Sequence, residues 1–155
     1  MKIFISYSTS DLNLVNKIAD QIRPFAEVFF WDKSKMPGEE VWPTIFSWID
    51  NADLVMAIIT GNTLSRAMAV GQEIGRAKAK GKHIVPLVSR EVPSTELGFL
   101  SGITYQPVDP YNADHAMQDI KSLVLGKKKK IEDDQTLFVV GGIALLFLAL
   151  ISSEK

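Results

Sequence analysis

The run "LVMAII", Leu54–Ile59, is the longest unbroken apolar stretch in the first 125 residues. Its length is that of a typical β-strand. An apolar side chain at every position, rather than at every second one, indicates a strand that is buried on both faces. Strands of this kind occupy the centre of parallel sheets, so the run predicts a sheet with helices on both sides.

Further elements alternate on either side of this strand. Short apolar runs predict four more strands, at residues 3–6, 28–31, 84–88 and 103–106. Amphipathic stretches predict four helices, at residues 12–22, 42–49, 66–80 and 113–125. Ser10 or Asp11 can cap the first helix, while Ser65 can cap the third and Gly81 can end it. The alternation predicts an α/β domain with a flavodoxin-like, five-stranded parallel sheet.

Polar residues follow several of the predicted strands. Ligands of such sheets bind beyond the carboxyl ends of the strands. Ser8 and Thr9, Asp32 and the loop 61–65 are predicted to lie there, and Glu73 is predicted to flank the same crevice. The segment after the first strand contains no glycine, which argues against a phosphate-binding loop or a dinucleotide fingerprint.

Composition excludes several classes of function. The 155 residues are enough for one domain and a short appendage, and a net charge of −1 gives no nucleic-acid footprint. The absence of cysteine excludes a thiolate nucleophile, a cysteine-based zinc site and a disulfide framework. The two histidines, His83 and His115, are far apart in sequence, so no metal site is predicted. The short apolar N-terminus does not resemble a signal peptide, which predicts a cytoplasmic domain.

The composition changes sharply after Gly126. Four lysines, Lys127 to Lys130, and a polar spacer precede 18 uncharged residues, Thr136 to Ser153. A helix of that length spans ~27 Å, close to the ~30 Å hydrocarbon core of a bilayer. A buried core helix is the alternative. Because lysines flank mainly the N-terminal side, the preceding domain would remain cytoplasmic. The predicted organisation is a domain at 1–125, a basic and polar linker at 126–135 and a single transmembrane helix at 136–153.

Glu73 lies in the third predicted helix, on the flank of its apolar stripe. One interpretation is an ordinary pair with Arg76 on a solvated face, worth ~0.2–0.5 kcal/mol. A carboxylate at the edge of an apolar stripe can also bind a cationic centre, and spacing does not decide between the two. Gly71 and Gly75 each cost about 1 kcal/mol relative to alanine in a helix, so they predict close approach of a neighbouring element.

Residues 2–108 resemble a TIR (Toll/interleukin-1 receptor) domain, of the prokaryotic type. "KIFISYSTSD" is similar to the first strand and loop of that family. "EVFFWDKSKMPGEEVWPTIFSWIDNADLVMAIIT" is similar to its second strand, mobile loop, next helix and central strand. "LSRAMAVGQEIGRAKAKGKHIVPLV" is similar to the segment that carries the glutamate of the family.

The resemblance implies one of two activities. Some TIR domains cleave NAD at the nicotinamide–ribose bond, by hydrolysis or with cyclisation, and others are scaffolds that signal only through TIR–TIR association. The implied function is a membrane-anchored, NAD-cleaving TIR domain, active when self-associated, in prokaryotic immune or stress signalling. NAD would be a substrate, with no cofactor; the implied partners are other TIR domains and the membrane. A non-catalytic adaptor is the alternative.

The resemblance also implies roles for individual residues. Glu73 matches the catalytic glutamate of the family, which would stabilise the positive charge that develops on the ribose. Ser8 and Thr9 would face the nucleotide. Asp32 and Trp42 would frame the mobile loop, although Asp32 also fits a loop cap and Trp42 a core aromatic.

One position departs from the family pattern. Many active members have a tryptophan four residues before the glutamate, where it can stack on the base, and here that residue is Ala69. Tyr7 or Trp42 could supply an aromatic ring instead. The departure leaves the product open and keeps the adaptor alternative in place.

Overall fold

One five-stranded parallel sheet forms the centre of the computed structural model, which describes residues 1–32, 40–64 and 67–152. The side chains of His115 and of residues 137–152 are outside that description. The strands are β1 (Lys2–Ser6), β2 (Glu27–Phe29), β3 (Leu54–Ile59), β4 (His83–Ser89) and β5 (Gln106–Val108). Their order across the sheet is β2-β1-β3-β4-β5, so the predicted parallel α/β sheet is confirmed.

Helices cover both faces of this sheet. They are α1 (Leu12–Ile22), α2 (Val41–Asn51), the single turn α3 (Gly61–Leu64), α4 (Ala67–Ala79) and α5 (Asp114–Ser152). Alternate residues of β3 divide between the two faces. Met56 and Ile58 pack with α1 and α5, whereas Val55 packs with α2 and α4. All six residues of β3 are buried, as its apolar run predicts.

Two strands differ from their predicted positions. β2 ends at Phe29, because the chain then leaves the sheet and the carbonyl of Trp31 accepts a hydrogen bond from the Tyr7 hydroxyl. β5 begins only at Gln106, because Ile103 still belongs to a turn in which its N–H bonds the Leu100 carbonyl. Both are edge strands of three residues, and their hydrophobic patterns are too short to define their limits.

The helices also depart from the sequence pattern. α3 was not predicted, and it follows from a turn in which the Thr60 N–H bonds the Thr63 hydroxyl at 3.0 Å. The proposed Ser65 cap lies outside the described residues. Neither Gly71 nor Gly75 has a heavy atom of the described residues within 4 Å of a Cβ built on it, so the predicted close approach is wrong.

The predicted end of α4 at Gly81 is confirmed. Gly81 has a φ of 62°, its N–H bonds the Lys78 carbonyl at 2.9 Å, and the Lys82 N–H bonds the Ala77 carbonyl at 2.9 Å. These two bonds form a Schellman motif, which satisfies carbonyls that a helix end leaves without partners.

Gly81→Ala is therefore expected to lower the free energy of unfolding by about 1 kcal/mol, because a Cβ is strained at positive φ. Thermal unfolding should show a decrease in Tm of about 3 °C. Gly75→Ala is the matched control: the site is helical, exposed and open, so the Tm should rise. Equal effects of the two substitutions would contradict this assignment.

The C-terminal segment continues the last helix. α5 passes from the domain through residues 126–135 to Ser152 without a break, so the predicted linker is helical. Within the part of the chain that the structure describes, no helix is both long and apolar enough to cross a bilayer. The side chains of the predicted span, from residue 137 onward, lie outside that part.

Candidate active site

The connections that leave β1 and β3 run towards opposite edges of the sheet. From β1 the chain passes through α1 to β2 on one side, and from β3 it passes through α3 and α4 to β4 on the other. The strand order therefore reverses between these two neighbours. In folds of this class, ligands bind at the carboxyl edge of the sheet where the strand order reverses, and the place between the loops after β1 and β3 is called the crevice here.

Asp11 joins the two loops that border the crevice. Its carboxylate accepts a hydrogen bond from the Thr60 hydroxyl at 2.7 Å and another from the Asn62 side-chain amide at 2.6 Å. Asp11 occupies the cap position of α1 but makes no side-chain cap bond, so its predicted capping role is wrong. Its carboxylate instead holds the turn after β3 against the turn after β1.

The three residues that follow β1 are mostly enclosed. Tyr7 is 7% exposed, lies edge-on to Phe30 with ring centroids 5.9 Å apart, and donates its hydroxyl to the Trp31 carbonyl. Ser8 is fully buried, and its hydroxyl oxygen has no hydrogen-bond partner among the described residues. Thr9 is partly exposed and begins a 3-10 turn, Thr9–Asp11.

Asp32 lies beyond the carboxyl end of β2, directly after Trp31. It is partly buried and lines a cavity of about 200 Å³ with Arg23, Phe30 and Trp48. The Tyr7–Trp31 hydrogen bond thus ties the loop after β1 to the segment that enters residues 33–39. The rest of the predicted mobile loop is outside the described residues.

Glu73 is buried in the middle of α4. It is 8% exposed and stands beside Val70, Ile74 and Ala77, which are also buried. Arg76, the proposed partner on a solvated face, donates from Nε and Nη2 to the two carboxylate oxygens of Asp50 in α2, at 2.8 and 2.6 Å. The interpretation of Glu73 as an acid on a solvated face is therefore wrong.

Trp42 and Glu73 occupy corresponding turns of two adjacent helices. α2 and α4 pack together and both run away from the carboxyl edge; the Arg76 guanidinium lies over the Phe46 ring at 5.3 Å from its centroid. On α2, Trp42 lies one turn before Phe46, nearer the carboxyl edge. On α4, Glu73 lies one turn before Arg76 in the same direction. Trp42 is 38% exposed and contacts Phe46 with ring centroids 5.4 Å apart, so it is not a core aromatic.

A second concave surface lies at the carboxyl ends of β4 and β5. It has a volume of about 440 Å³, and its walls include Ser89, Glu91 and Asp109. The Glu91 carboxylate also accepts the Gly61 N–H at 3.3 Å, which places this cavity beside the turn after β3. None of the predicted site residues lines it.

The sequence profile of the TIR domain matches residues 3–124. The chain belongs to the TIR-domain family. Among proteins of curated function, none gives a significant match to the chain.

Solved structures that are similar to this TIR domain share its fold. The TIR domain of the Toll-related receptor TRR-2 from Hydra magnipapillata is 18% identical over 81% of this chain and 94% of its own, with a TM-score of 0.58. A 2-deoxyribosyltransferase from Bacillus psychrosaccharolyticus is 20% identical over 78% and 90%, with a TM-score of 0.59. The TIR domains of the activated Roq1 resistosome are 16% identical over 83% and 79%, with a TM-score of 0.51.

The predicted site residues of the TIR domain fall into two groups. The first group lies beyond the carboxyl ends of β1 and β2 and contains Tyr7, Ser8, Thr9 and Asp32. The second contains Trp42 on α2 and Glu73 on α4, the helices on the face of the sheet opposite to α1 and α5. Ala69, one turn before Glu73, is partly exposed and provides no ring. Among the described side chains, no group of three or more metal-ligating residues comes together.

Sequence reasoning placed the loop 61–65 at the crevice but missed the hydrogen bonds that join Asp11 to Thr60 and Asn62. Thr60, Gly61 and Asn62 directly follow β3, and Asp11 follows β1 by five residues. Polar residues after two strands that are adjacent in the sheet are the available signal. That signal becomes useful only when β1 and β3 are known to be neighbours, because the two groups are about fifty residues apart.

The Asp50–Arg76 pair predicts a pH dependence of stability. The hydrogen bond from Arg76 lowers the pKa of Asp50; burial opposes this, and the charges of Arg76 and Lys80 lower it further. A depressed folded-state pKa stabilises the protein above the unfolded pKa of ~3.9, and that contribution is lost as the pH falls through the folded-state pKa.

Asp50→Asn is therefore expected to lower the Tm at pH 7, and the difference from wild type should narrow below about pH 4. The effect should be modest and weaker at high salt, since the two side chains are 30% and 36% exposed. A Tm difference that is constant from pH 7 to pH 3 would refute a role for the Asp50 charge.

Proposed function

We propose that this TIR domain cleaves NAD at the bond between nicotinamide and ribose, with Glu73 as the catalytic carboxylate. The observation that carries the proposal is the burial of Glu73, the residue that the resemblance matches to the glutamate of the family. Beside Val70, Ile74 and Ala77 the carboxylate is largely removed from water, and buried ionisable groups of this kind cluster at functional sites.

The chemistry suits a carboxylate in such an environment. The C1′–N bond breaks with its electron pair moving to the ring nitrogen, so the cationic nicotinamide leaves as a neutral molecule without a proton donor. Positive charge develops on the ribose, and a carboxylate stabilises it more strongly where little water screens the interaction. Water then adds to C1′ and releases a proton, or a second group of the nucleotide adds in its place and gives a cyclic product.

Trp42 is the candidate for the aromatic ring that Ala69 cannot provide. Its ring is exposed and lies one turn from Phe46, on the helix that packs against the one carrying Glu73. Tyr7 is the weaker candidate, because its ring is 7% exposed and its hydroxyl is used by the Trp31 carbonyl. Ser8 and Thr9 would then contact the nucleotide from the loop after β1.

A nicotinamide-release assay tests the activity. Purified full-length protein, concentrated on vesicles or with a crowding agent, is incubated with NAD, and nicotinamide and the ribose-containing products are separated by chromatography. We expect release that rises more steeply than linearly with protein density, because the site would be completed by self-association. Absence of release at every density would refute NAD cleavage.

An adaptor function is the second candidate, and Ala69 is the observation that favours it. Without a ring one turn before Glu73, a bound nicotinamide would lose a stacking contact worth about 1 kcal/mol. The Roq1 resistosome contains assembled TIR domains, and the present domain would act by the same kind of association. Self-association without nicotinamide release, and unaffected by Glu73→Gln, would establish this alternative.

We also propose that residues 136–153 anchor the protein in a membrane as a single span, with the TIR domain in the cytoplasm. The support is the uncharged sequence itself, which follows four lysines. Anchoring would confine the domains to two dimensions and raise their effective concentration for association in immune or stress signalling.

Deletion of residues 137–155 is expected to move the protein from the membrane fraction to the soluble fraction, because it removes the apolar span. Alkaline extraction followed by immunoblotting measures the distribution. Deletion of residues 154–155 alone is the control and should leave the protein with the membrane. A truncated protein that still resists extraction would contradict the anchor.

A further inference from the structure

The last helix crosses the whole height of the domain. α5 begins at Asp114, after β5 has reached the carboxyl edge of the sheet, and runs back antiparallel to the strands. Its residues Met117, Ile120 and Val124 pack in the core cluster that includes α1. Burial lowers the pKa of His83, the first residue of β4, and the charge of Lys127 lowers it further. From Asp114 to Lys127 the helix rises by ~20 Å, about the length of the six-residue strand β3, so Lys127 lies near the amino edge of the sheet.

Beyond that edge α5 continues as a helix. Lys128, Lys129 and Lys130 stand four residues before Glu132, Asp133 and Asp134, a spacing at which opposite charges are neighbours on a helix surface. The Thr136 hydroxyl bonds the Glu132 carbonyl one turn earlier, at 2.9 Å. From Val124 to Thr136 the helix rises by ~18 Å. This segment is defined here as the stem, residues 125–136.

We propose that the amino edge of the sheet is the surface that faces the lipid bilayer, and that the stem holds the candidate active site on the opposite side of the domain. The proposal rests on the proposed membrane anchor but not on NAD cleavage. Lys82, Lys127 and Lys128 lie at or just beyond this edge, and Glu132, Asp133 and Asp134 lie between them and the predicted span. The continuous helix α5, rather than attraction to the headgroups, sets this orientation. The crevice beyond β1 and β3 opens at the other edge, ~20 Å away along a six-residue strand.

This orientation has a consequence for assembly. All copies in one membrane would present their crevices to the cytoplasm and their amino edges to the lipid. Contacts between domains must then be lateral, through helix faces and edge strands, and NAD could enter each crevice without passing the membrane surface.

Fluorescent labels at the two edges test the orientation. The chain contains no cysteine, so single substitutions give unique labelling sites. Asn51→Cys lies at the end of α2, beside the amino edge, and Asn112→Cys lies between β5 and α5, at the carboxyl edge; both positions are exposed. Full-length protein is reconstituted in phosphatidylcholine and phosphatidylglycerol vesicles with an energy acceptor on some headgroups.

Energy transfer from the Asn51→Cys label should exceed that from the Asn112→Cys label about twofold, given the ~20 Å between the edges. Adding Asp133→Pro, which interrupts the stem helix, should abolish the difference, while Asp133→Ala should preserve it. Equal transfer from both labels in vesicle-bound protein would overturn the orientation. Protein that does not float with the vesicles would refute both the anchor and the orientation. The proposal of NAD cleavage would be unaffected, because the nicotinamide-release assay tests it independently.

Discussion

Replacing Glu73 with glutamine is expected to reduce nicotinamide release about 100-fold or more. Glutamine has nearly the same volume, so α4 should pack as before, but it carries no negative charge. A neutral amide cannot stabilise the charge that develops on the ribose. Because the lost interaction is made mainly in the transition state, kcat should decrease while KM changes little.

The matched control is Glu96→Gln, which removes an exposed carboxylate from the 3-10 turn Ser94–Glu96. This variant should retain wild-type release, and thermal unfolding of both variants would show that the domain is intact. Nicotinamide release that survives Glu73→Gln in a folded domain would remove the assigned role of Glu73. Loss of release in both variants would point to charge in general rather than to one catalytic position.

Ile58→Ala is expected to lower the free energy of unfolding by about 3 kcal/mol, within the range of 2–5 kcal/mol for such truncations. Ile58 has no exposed surface and lies in the central strand, between α1 and α5 on its face of the sheet. The cavity that alanine leaves cannot collapse easily, because β4 pairs with β3 at this position, with Leu87 opposite Ile58, and the surrounding core is close-packed.

Urea denaturation measures this effect as a lower midpoint with an unchanged slope. Leu125→Ala is the control: it removes a side chain of similar size from a position that is 45% exposed, so it should cost less than about 0.5 kcal/mol. Similar losses in the two variants would mean that β3 does not have the central role assigned to it.

The local features of the sequence predicted most of the fold. The run Leu54–Ile59 indicated a doubly buried strand, and all six residues are buried in the sheet. Gly81 indicated the end of a helix and adopts the positive φ that the turn requires. Such features succeed because burial periodicity and backbone conformation depend on residues within one or two turns of each other. β2 and β5 were placed less well, since three residues are too few to show a period.

The site was less predictable because its contacts join distant parts of the chain. Asp11 looked like a helix cap, yet its carboxylate binds Thr60 and Asn62, about fifty residues later. Arg76 looked like the partner of Glu73, yet it binds Asp50, 26 residues earlier. In both cases a partner close in sequence was available. The residue bonds a partner distant in sequence instead, because the packing of helices and strands places that partner within hydrogen-bond distance.

By itself the sequence determined the α/β alternation, the central strand and the family to which the chain belongs, because each depends on the order of short local patterns. It also marked Glu73 as a candidate through the resemblance. Only the tertiary structure decided that Glu73 is buried and that Trp42 is exposed one turn from Phe46. The physical reason is that burial and pairing are set by which helices meet on a face of the sheet, and no residue carries that information within its own segment.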